Sequence, residues 1–411
     1  MVSAGRVSEW RKLPVSLSEL CIDTTLRCGQ SFRWQKINDE WNCVLRGRLL
    51  SLKQDDKFLH YKVTWPKSRP TPCSARSLPC QAAAGRTAKH EDDTEDLLRH
   101  YFSLTSNLAA LYDQWAESDP NFRKKAPKFT GIRILNQDAW EALVAFICSS
   151  NNNISRISSM VHKLCIHYGP YIAHIGDIPF HDFPSAQALA GPNVASHLRE
   201  LGFGYRAKYI AETALIVAAE KPSGWLESLA NPENPGWATT TPAGTSTPGD
   251  PMTHKKAHEQ LLLLSGVGPK VADCVCLMGL GWAEAVPVDT HVWQIAQRDY
   301  HFGKAKSKTL TKAMYDSIGD HFRKIWGPQA GWAQSVLFTA NLKSFSEQAA
   351  ADLKPLEAVT EVKQEMEVDS ATLTKTRKRQ ARRTVVEKVK VEQVSDVDTT
   401  PVARKKRKTR S

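Results

Sequence analysis

Short stretches in which apolar and polar residues alternate characterise the first part of the chain, from Trp10 to about Tyr61. Ser31–Trp34 and Trp41–Leu45 are two such stretches, and turn-forming residues separate them. Alternation with a period of two places the apolar side chains on one face of a strand. The pattern therefore predicts antiparallel strands in a first domain, residues 1–129.

Beyond Glu95 the apolar residues recur at spacings of three and four, which is typical of amphipathic helices. The clearest cases are Ala139–Cys148, Ile157–Tyr168 and Tyr209–Ala219. This pattern predicts a second, helical domain over residues 130–345. The sequence therefore indicates an α+β fold, with the sheet first and the helices after it.

Three segments show neither pattern. Residues 66–94 are rich in Pro, Ser, Arg, Ala and Asp, which indicates a solvated insertion, and residues 231–251 crowd Pro, Gly and Thr into a predicted surface loop. Residues 346–411 contain no aromatic residue and no Gly, and charged residues dominate them. Because such a segment cannot bury enough surface to offset its conformational entropy, we predict a disordered basic tail.

Length and charge narrow the class of protein. A chain of 411 residues, 41% of them hydrophobic, can bury more than one core. The net charge of +12 favours a polyanionic partner or an anionic surface, without choosing between them. Apolar runs such as Leu261–Leu264 are far shorter than the roughly 18–20 residues that span a bilayer, so we expect no membrane insertion.

The nine cysteines are an odd number at irregular spacings, which predicts reduced thiols rather than a disulfide framework. Their spacing matches neither a zinc finger nor a four-cysteine iron–sulfur motif, so we expect no iron–sulfur cluster. The first dozen residues lack the apolar region of a secretory signal, whereas a mitochondrial signal stays open.

Two basic clusters in the tail, Lys375–Arg383 and Arg404–Arg410, predict a nuclear location and recognition by an import receptor. The alternative is a tail that binds DNA without specificity. The residues around Lys363 and Lys390 match the short pattern of sumoylation sites, which arises often by chance.

The segment Leu261–Gly279 places a Gly-Val-Gly turn between two apolar helical stretches, which predicts a helix-hairpin-helix over about 258–280. Gly266 and Gly268 would let backbone N–H groups approach a phosphate, and the dipole of the following helix would favour that contact. An ordinary turn between two helices can contain the same tripeptide. Carbonyl groups of such a turn can also hold a structural cation beside the phosphate, and the candidates are those of Leu262, Leu264 and Val267.

Lys270 directly follows this turn, and Asp289 lies further along in a Val-Asp-Thr-His segment. Each has an ordinary interpretation, Lys270 as a phosphate-binding lysine and Asp289 as the N-cap of a helix over 291–297. An unprotonated lysine amine is also a nucleophile that can attack a sugar C1′ and form a Schiff base. In that interpretation Asp289 stabilises the positive charge that develops on the sugar and helps to transfer protons.

Four motifs, taken in order, resemble those of one family. They are Cys28–Trp34, Phe146–Ile154, the hairpin through Asp289, and Gly331–Phe338. They are similar to the eukaryotic 8-oxoguanine DNA glycosylase/AP lyases of the helix-hairpin-helix superfamily, over most of residues 10–345. The resemblance implies a twisted, TBP-like antiparallel sheet domain, an all-helical glycosylase domain, and DNA bound between them.

The resemblance also assigns roles to residues that would contact the damaged base. The Gly29 carbonyl would accept a hydrogen bond from the N7–H that 8-oxoguanine has and guanine lacks. Cys274 and Phe338 would sandwich the flipped base, and Gln334 would read its Watson–Crick edge. Without the resemblance, the last three residues would be interpreted as helix core.

Other residues would contact the rest of the duplex. Tyr205 corresponds to a wedge in the vacated base stack. His291 corresponds to a phosphate-binding histidine, but Asn341 replaces its usual acidic companion. The residues that correspond to those hydrogen-bonding the opposite cytosine are Asn151, Arg156 and Arg206.

The resemblance implies a monomeric base-excision-repair enzyme without a required cofactor. It would remove 8-oxoguanine opposite cytosine in damaged duplex DNA through a Lys270 Schiff base and then cleave the strand by β-elimination. One alternative is a related glycosylase with another base preference. The other is a noncatalytic helix-hairpin-helix DNA-binding protein, which would not explain why Lys270, Asp289, Gln334 and Phe338 occur together in matching contexts.

Overall fold

We describe the chain from a computed structural model that covers residues 5–66, 92–237, 251–303, 310–345 and 347. Within these ranges an antiparallel sheet is followed by a largely helical region, so the predicted α+β class is confirmed. None of the helices in these ranges is long and apolar enough to cross a membrane. The other predicted features lie mostly or wholly outside the described residues: the insertion 66–94, the loop 231–251, and the tail with its two basic clusters, Lys363 and Lys390.

The sheet has five strands in the order β1-β5-β4-β3-β2, each antiparallel to its neighbours. Two-residue turns join β2 to β3 and β3 to β4, and both turns have left-handed backbone conformations, at Asn38-Asp39 and at Arg46-Gly47. Turns of this kind match the twist of the flanking strands and set their register. The strands are β1 (Arg11–Pro14), β2 (Gln35–Ile37), β3 (Glu40–Leu45), β4 (Arg48–Gln54) and β5 (Phe58–Thr64).

One predicted strand is present and one is wrong. Trp41–Leu45 lies in β3, as its alternation predicts. Ser31–Trp34 precedes β2 in an irregular conformation, with all four residues buried. Its polar groups bond to helices instead of a strand ladder, since the Arg33 guanidinium donates to Glu141 and the Trp34 indole donates to Tyr101.

The three helices predicted from periodicity are present. Ala139–Cys148 is one complete helix, and Ile157–Tyr168 lies within another. Tyr209–Ala219 spans the end of a third helix and a π-helical segment, Ile216–Glu220, that continues it. The α-helices in the described ranges are α1 (Ile22–Thr25), α2 (Thr94–Tyr101), α3 (Leu108–Ser118), α4 (Pro120–Lys125), α5 (Ala139–Cys148), α6 (Ile154–Tyr168), α7 (Ala186–Leu189), α8 (Val194–Glu200), α9 (Arg206–Leu215), α10 (Trp225–Ser228), α11 (His254–Leu261), α12 (Pro269–Gly279), α13 (Thr290–Asp299), α14 (Lys312–Trp326) and α15 (Ala330–Asn341).

A short hairpin that the sequence pattern did not predict interrupts the helical region. Its strands are β6 (Tyr171–Ile175) and β7 (Ile178–His181). Ile172 and Phe180 pack with Val44 and Leu49, which lie on neighbouring strands of the large sheet. The hairpin therefore connects the helical region to the sheet through a small apolar cluster.

Two larger cores position the site. Residues of the sheet pack against α2, and most of the helices share a second core. Helix α5 is buried along its whole length and packs against α12. The approach is close, because a Cβ added at Gly279 of α12 would lie 3.0 Å from the Cα of Ala139. This packing fixes the end of α5 beside the beginning of α12.

Candidate active site

Lys270 is the second residue of α12, which starts with Pro269 directly after the Gly-Val-Gly turn. A proline at the first helical position loses no intrahelical hydrogen bond and has the helical φ angle. Lys270 is half-buried, and its amine donates to Ser149 Oγ at 3.0 Å and lies 5.2 Å from the centre of the Phe146 ring. Ser149 in turn donates to the Phe146 carbonyl at 2.7 Å. Lys270 is therefore held against the end of α5.

Asp289 is the N-cap of α13, as predicted. Its Oδ1 atom accepts hydrogen bonds from the amides of His291 and Val292, each at 2.9 Å. These bonds satisfy two amides that the helix itself leaves unpaired. The carboxylate of Asp289 is thereby fixed in position, and the same side chain lines the pocket that contains Lys270.

A pocket of about 50 Å³ brings the candidate residues together. This volume holds a few water molecules. Phe338, which is partly exposed, is one of the side chains that line it. The pocket contains both catalytic candidates and all four predicted base-binding residues, namely Lys270, Asp289, Gly29, Cys274, Gln334 and Phe338.

The walls of the pocket differ in polarity. Burial raises the pKa of Cys274 to about 12, with Lys270 acting in the opposite direction, so the thiol is neutral at physiological pH. Gln334 is 5% exposed and brings an amide to a mostly apolar wall. The Phe338 ring meets the His291 ring edge-on, with 5.6 Å between ring centres. A neutral thiol, an aromatic ring and an amide suit a planar base with a polar edge.

Gln30 holds in place the loop that contains Gly29, and the sequence analysis gave this residue no role although it lies in the motif Cys28–Trp34. The Gln30 amide donates to the Arg133 carbonyl at 2.8 Å and accepts from the Leu135 amide at 3.0 Å. Gly29 itself has a φ of +90°, and a Cβ there would lie 3.1 Å from Ile154 Cδ1. Phe146 and Ser149, which hold Lys270, were also missed as site residues. Hydrophobic periodicity marks none of these polar contacts, because their partners are distant in sequence.

The residues expected to face the opposite base lie close together. Asn151 is exposed, with a φ of +47°, in the turn between α5 and α6. Arg206 is buried, and its Nη2 atom donates to the Ser150 and Asn151 carbonyls, while its Nε atom has no partner among the described residues. Tyr205 is 52% exposed and stacks on the Arg206 guanidinium at 4.5 Å. Arg156 is exposed and reaches the Gly202 carbonyl at 3.5 Å.

His291 and Asn341 are not joined by a hydrogen bond. The Asn341 side chain accepts from Arg298 Nη1 at 3.0 Å. His291 Nδ1 is buried and has no partner within the described part of the chain. Asn341, which replaces the usual acidic companion of His291, therefore bonds to Arg298 instead.

The two hairpin glycines differ in what the fold requires of them. Gly266 has a φ of +75°, and a Cβ there would lie 2.6 Å from the Tyr209 side chain. Gly268 has a φ of −101°, and a Cβ there would meet no atom within 4 Å. Among the candidate cation ligands of this turn, Leu262, Leu264 and Val267, the Leu264 carbonyl accepts from the Val267 amide at 3.3 Å.

A larger cavity of about 460 Å³ lies elsewhere, and neither Lys270 nor Asp289 lines it. Its walls include Trp140, Trp225 and Trp237. Over the described residues, no three or more His, Cys, Asp or Glu side chains cluster as a metal site would need.

Two family models match consecutive parts of the chain. Residues 12–143 match the family model described as "8-oxoguanine DNA glycosylase, N-terminal domain". Residues 144–318 match the model of the "HhH-GPD superfamily base excision DNA repair protein". Together the two matches include the sheet and the pocket residues up to α13.

Two curated relatives match over most of their length. The N-glycosylase/DNA lyase of Saccharomyces cerevisiae is 37% identical over 80% of this chain and 86% of its own. The N-glycosylase/DNA lyase OGG1 of Arabidopsis thaliana is 34% identical over 81% of this chain and 80% of its own.

A solved structure shares the fold. The 8-oxoguanine glycosylase/lyase of Clostridium acetobutylicum, in complex with duplex DNA containing cytosine opposite 8-oxoguanine, superposes with a TM-score of 0.60 at 23% identity. The alignment covers 82% of this chain and 97% of that one. The fold, the pocket and the family matches agree: the chain belongs to the 8-oxoguanine N-glycosylase/DNA lyases of the helix-hairpin-helix superfamily.

Proposed function

We propose that this protein removes 8-oxoguanine paired with cytosine from duplex DNA and then cleaves the strand at the abasic site. The observation that carries the proposal is the pocket that places Lys270 and Asp289 beside Gly29, Cys274, Gln334 and Phe338. A noncatalytic DNA-binding protein would have no need of a lysine and a carboxylate in a pocket of this kind.

In the proposed reaction the unprotonated Lys270 amine attacks C1′ of the damaged nucleotide. A bond forms between Nζ and C1′ while the bond from C1′ to the base breaks, and the base leaves with the bonding electron pair. Asp289 stabilises the positive charge that develops on the sugar. Nζ passes one proton to the departing base and the other to O4′ as the C1′–O4′ bond breaks, which leaves a Schiff base between Nζ and C1′. The Schiff base acidifies the C2′ proton, so that loss of this proton expels the 3′ phosphate by β-elimination.

Recognition of the lesion follows from the donors and acceptors of the pocket. The Gly29 carbonyl would accept from N7–H of 8-oxoguanine, whereas guanine presents an acceptor there and repels it. Gln30 supports this function, because its two hydrogen bonds hold the loop on which Gly29 lies. On the other side of the duplex, Asn151 and the exposed Arg156 would contact the cytosine, with Tyr205 in the vacated stack.

Borohydride trapping tests the proposal. We expect a covalent adduct with duplex DNA containing 8-oxoguanine opposite cytosine, and no adduct from Lys270→Gln. The matched control is Lys312→Gln, since Lys312 is an exposed lysine on α14 whose side chain is 80% accessible. An adduct that survives Lys270→Gln would disprove the mechanism. Adducts formed equally with thymine glycol or alkylated purines would disprove the preference for 8-oxoguanine. Asn151→Ala should discriminate less well among the bases opposite the lesion, and unchanged discrimination would disprove the proposed contact of Asn151 with cytosine.

We also propose that carbonyls of the hairpin turn, those of Leu262, Leu264 and Val267, hold a cation beside a DNA phosphate. Within the described residues of the turn, the Leu264 carbonyl accepts a long backbone bond of 3.3 Å from the Val267 amide, and a carbonyl oxygen has two lone pairs. At constant ionic strength, DNA affinity should then differ between sodium, potassium and magnesium salts. Equal affinities would contradict the proposal.

A further inference from the structure

A buried carboxylate lies next to the catalytic lysine and has no part in the mechanism above. Asp273 is one helical turn beyond Lys270 in α12, directly before Cys274, and is 4% exposed. Burying a carboxylate is costly unless hydrogen bonds compensate for the lost water. Its partners therefore indicate what it does.

Side chains from two other helices converge on this carboxylate. The Tyr315 hydroxyl, from α14, donates to Oδ2 at 2.5 Å. His254 Nε2, from α11, donates to Oδ1 at 2.9 Å. His258 Nε2 lies 3.8 Å from the same oxygen and 3.2 Å from the Pro269 carbonyl. Asp273 thus joins both helices of the hairpin to α14.

The Tyr315 hydroxyl continues the connection toward Asp289. It accepts from the buried amide of Val288 at 3.4 Å, and Val288 immediately precedes Asp289. Burial and the neighbouring Asp273 raise the pKa of Tyr315 well above its ordinary value, so the hydroxyl keeps its proton and stays a donor to Asp273. One hydroxyl therefore links the helix of Lys270 to the segment that carries Asp289.

This link matters because the two catalytic side chains are anchored separately. Lys270 bonds to Ser149 at the end of α5, and Asp289 bonds to the first amides of its own helix. Their relative position therefore depends, among other contacts, on how α12 is held to the Val288–Asp289 segment, and Tyr315 bonds to both. Reaction rates depend steeply on this position, since a misplacement of about 1 Å can cost about a hundredfold.

We propose that Asp273 and Tyr315 are positioning residues that hold Lys270 and Asp289 in register across this junction. The proposal rests on the proposed function, in which Lys270 is the nucleophile. It predicts that loss of the link slows the chemical step and leaves DNA binding unchanged, because both side chains are buried and neither is among the residues predicted to contact DNA.

The chain offers a control for the cost of losing a tyrosine–aspartate bond, in which the aspartate, Asp119, is buried and the tyrosine, Tyr300, is half-buried. The Tyr300 hydroxyl donates to Asp119 Oδ2, also at 2.5 Å, beyond the far end of α13. Ten residues of helix, about 15 Å, separate that end from Asp289. Tyr300→Phe and Tyr315→Phe each remove one hydroxyl from one such bond, but only the second lies at the catalytic junction.

The test measures three quantities for the full-length variants: the urea midpoint, affinity for duplex DNA with an uncleavable tetrahydrofuran abasic analogue, and the single-turnover rate of 8-oxoguanine release. We expect both Phe variants to unfold at similar, slightly lowered urea concentrations and to bind DNA within about twofold of the wild type. Tyr315→Phe should release base about tenfold more slowly, and Tyr300→Phe within about twofold of the wild-type rate.

A second pair of variants tests the carboxylate. Asp273→Asn keeps an oxygen that can accept from Tyr315, so it should retain more of the single-turnover rate than Asp273→Ala. Equal rates for Tyr315→Phe and Tyr300→Phe, or a loss that appears wholly as weaker DNA binding, would overturn the proposal. If Lys270→Gln still forms the adduct, the proposed function fails instead. An inactive Lys270→Gln beside a fully active Tyr315→Phe would refute only the positioning role.

Discussion

At the scale of single residues, Asp289 shows how one carboxylate serves structure and chemistry together. Its Oδ1 atom closes the first turn of α13, and the side chain lines the Lys270 pocket. An N-cap side chain has little freedom, which suits a group that must stabilise developing charge without reorganising. The two roles can be separated because an amide caps a helix but carries no charge.

Replacing Asp289 by Asn and by Ala should separate these roles. Asn retains an oxygen acceptor for the His291 and Val292 amides, so we expect nearly wild-type stability, whereas Ala should lose about 0.5–2 kcal/mol. Both variants lose the charge and should release base about 100-fold more slowly. Urea denaturation and single-turnover assays measure the two effects. An Asn variant with the wild-type rate would exclude a catalytic role for the carboxylate.

Buried thiols make the free energy of unfolding decrease at alkaline pH. Burial raises the pKa of Cys148, Cys165 and Cys274 each to about 12. In the unfolded chain these thiols lose their protons near their ordinary value of about 8.5, so above that pH unfolding releases protons and stability falls as pH rises. Below it their contribution is fully present.

We therefore expect the free energy of unfolding to decrease by about 1 kcal/mol or more between pH 7.5 and pH 9.5 in the presence of a reductant. Urea midpoints at the two pH values provide the measurement. Cys165→Ala should show a smaller decrease in the free energy of unfolding, because one titrating thiol is removed. We choose Cys165 because it lies outside the active site. A urea midpoint that does not change between pH 7.5 and pH 9.5 would contradict the raised pKa values of these thiols.

At the scale of elements, the two glycines of the helix-hairpin-helix turn differ: the fold requires a glycine at position 266, whereas position 268 faces open space. The left-handed conformation of Gly266 and its contact with Tyr209 exclude a side chain at that position. The space beside Gly268 is open, so nothing in the described chain excludes a Cβ there. Close approach of a DNA phosphate is the interpretation that gives Gly268 a function.

The two glycines should consequently respond differently to alanine. Gly266→Ala should destabilise the protein by about 1–3 kcal/mol because of its backbone conformation, and more if Tyr209 cannot move. Gly268→Ala should keep its stability within about 0.5 kcal/mol and bind duplex DNA several-fold more weakly. Thermal melts and DNA titrations distinguish the two outcomes. Unaltered DNA affinity in Gly268→Ala would show that no phosphate closely approaches Gly268.

At the scale of the whole molecule, a buried ion pair joins the first part of the chain to the helical region. The Arg33 guanidinium donates to both carboxylate oxygens of Glu141 in α5, at 2.9 and 2.7 Å, and Asp182 lies 3.5 Å away. Both side chains of the pair are less than 10% exposed. Arg33 follows the Gly29 loop, and α5 ends beside Lys270, so the pair connects the two sides of the pocket.

Breaking this pair should be costly. Arg33→Met leaves the Glu141 carboxylate buried without its partner, and we expect a loss of about 3–5 kcal/mol. The double variant Arg33→Met/Glu141→Leu should recover much of that loss, because no unpaired charge remains. Lys312→Met, which breaks the exposed pair with Asp316, should change stability by less than about 0.5 kcal/mol. Equal losses for Arg33→Met and Lys312→Met in urea denaturation would contradict the argument.

The sequence by itself determined the features that depend on neighbouring residues. Helical spacing identified α5, α6 and α9, and Asp289 was identified as a cap from the helix that follows it. Side-chain periodicity and capping involve residues within about four positions of one another, so a local pattern contains the necessary information. The four family motifs added the pocket residues, which periodicity alone would have assigned to the core.

Only the tertiary structure decided which distant residues meet. Ser31–Trp34 alternates like a strand, but burial on all sides and the bonds of Arg33 and Trp34 to two helices give it an irregular conformation. The contact of Lys270 with Ser149 joins residues 121 positions apart, and that of Asp273 with Tyr315 joins residues 42 apart. Such contacts depend on how helices pack, which the order of residues along one helix does not specify.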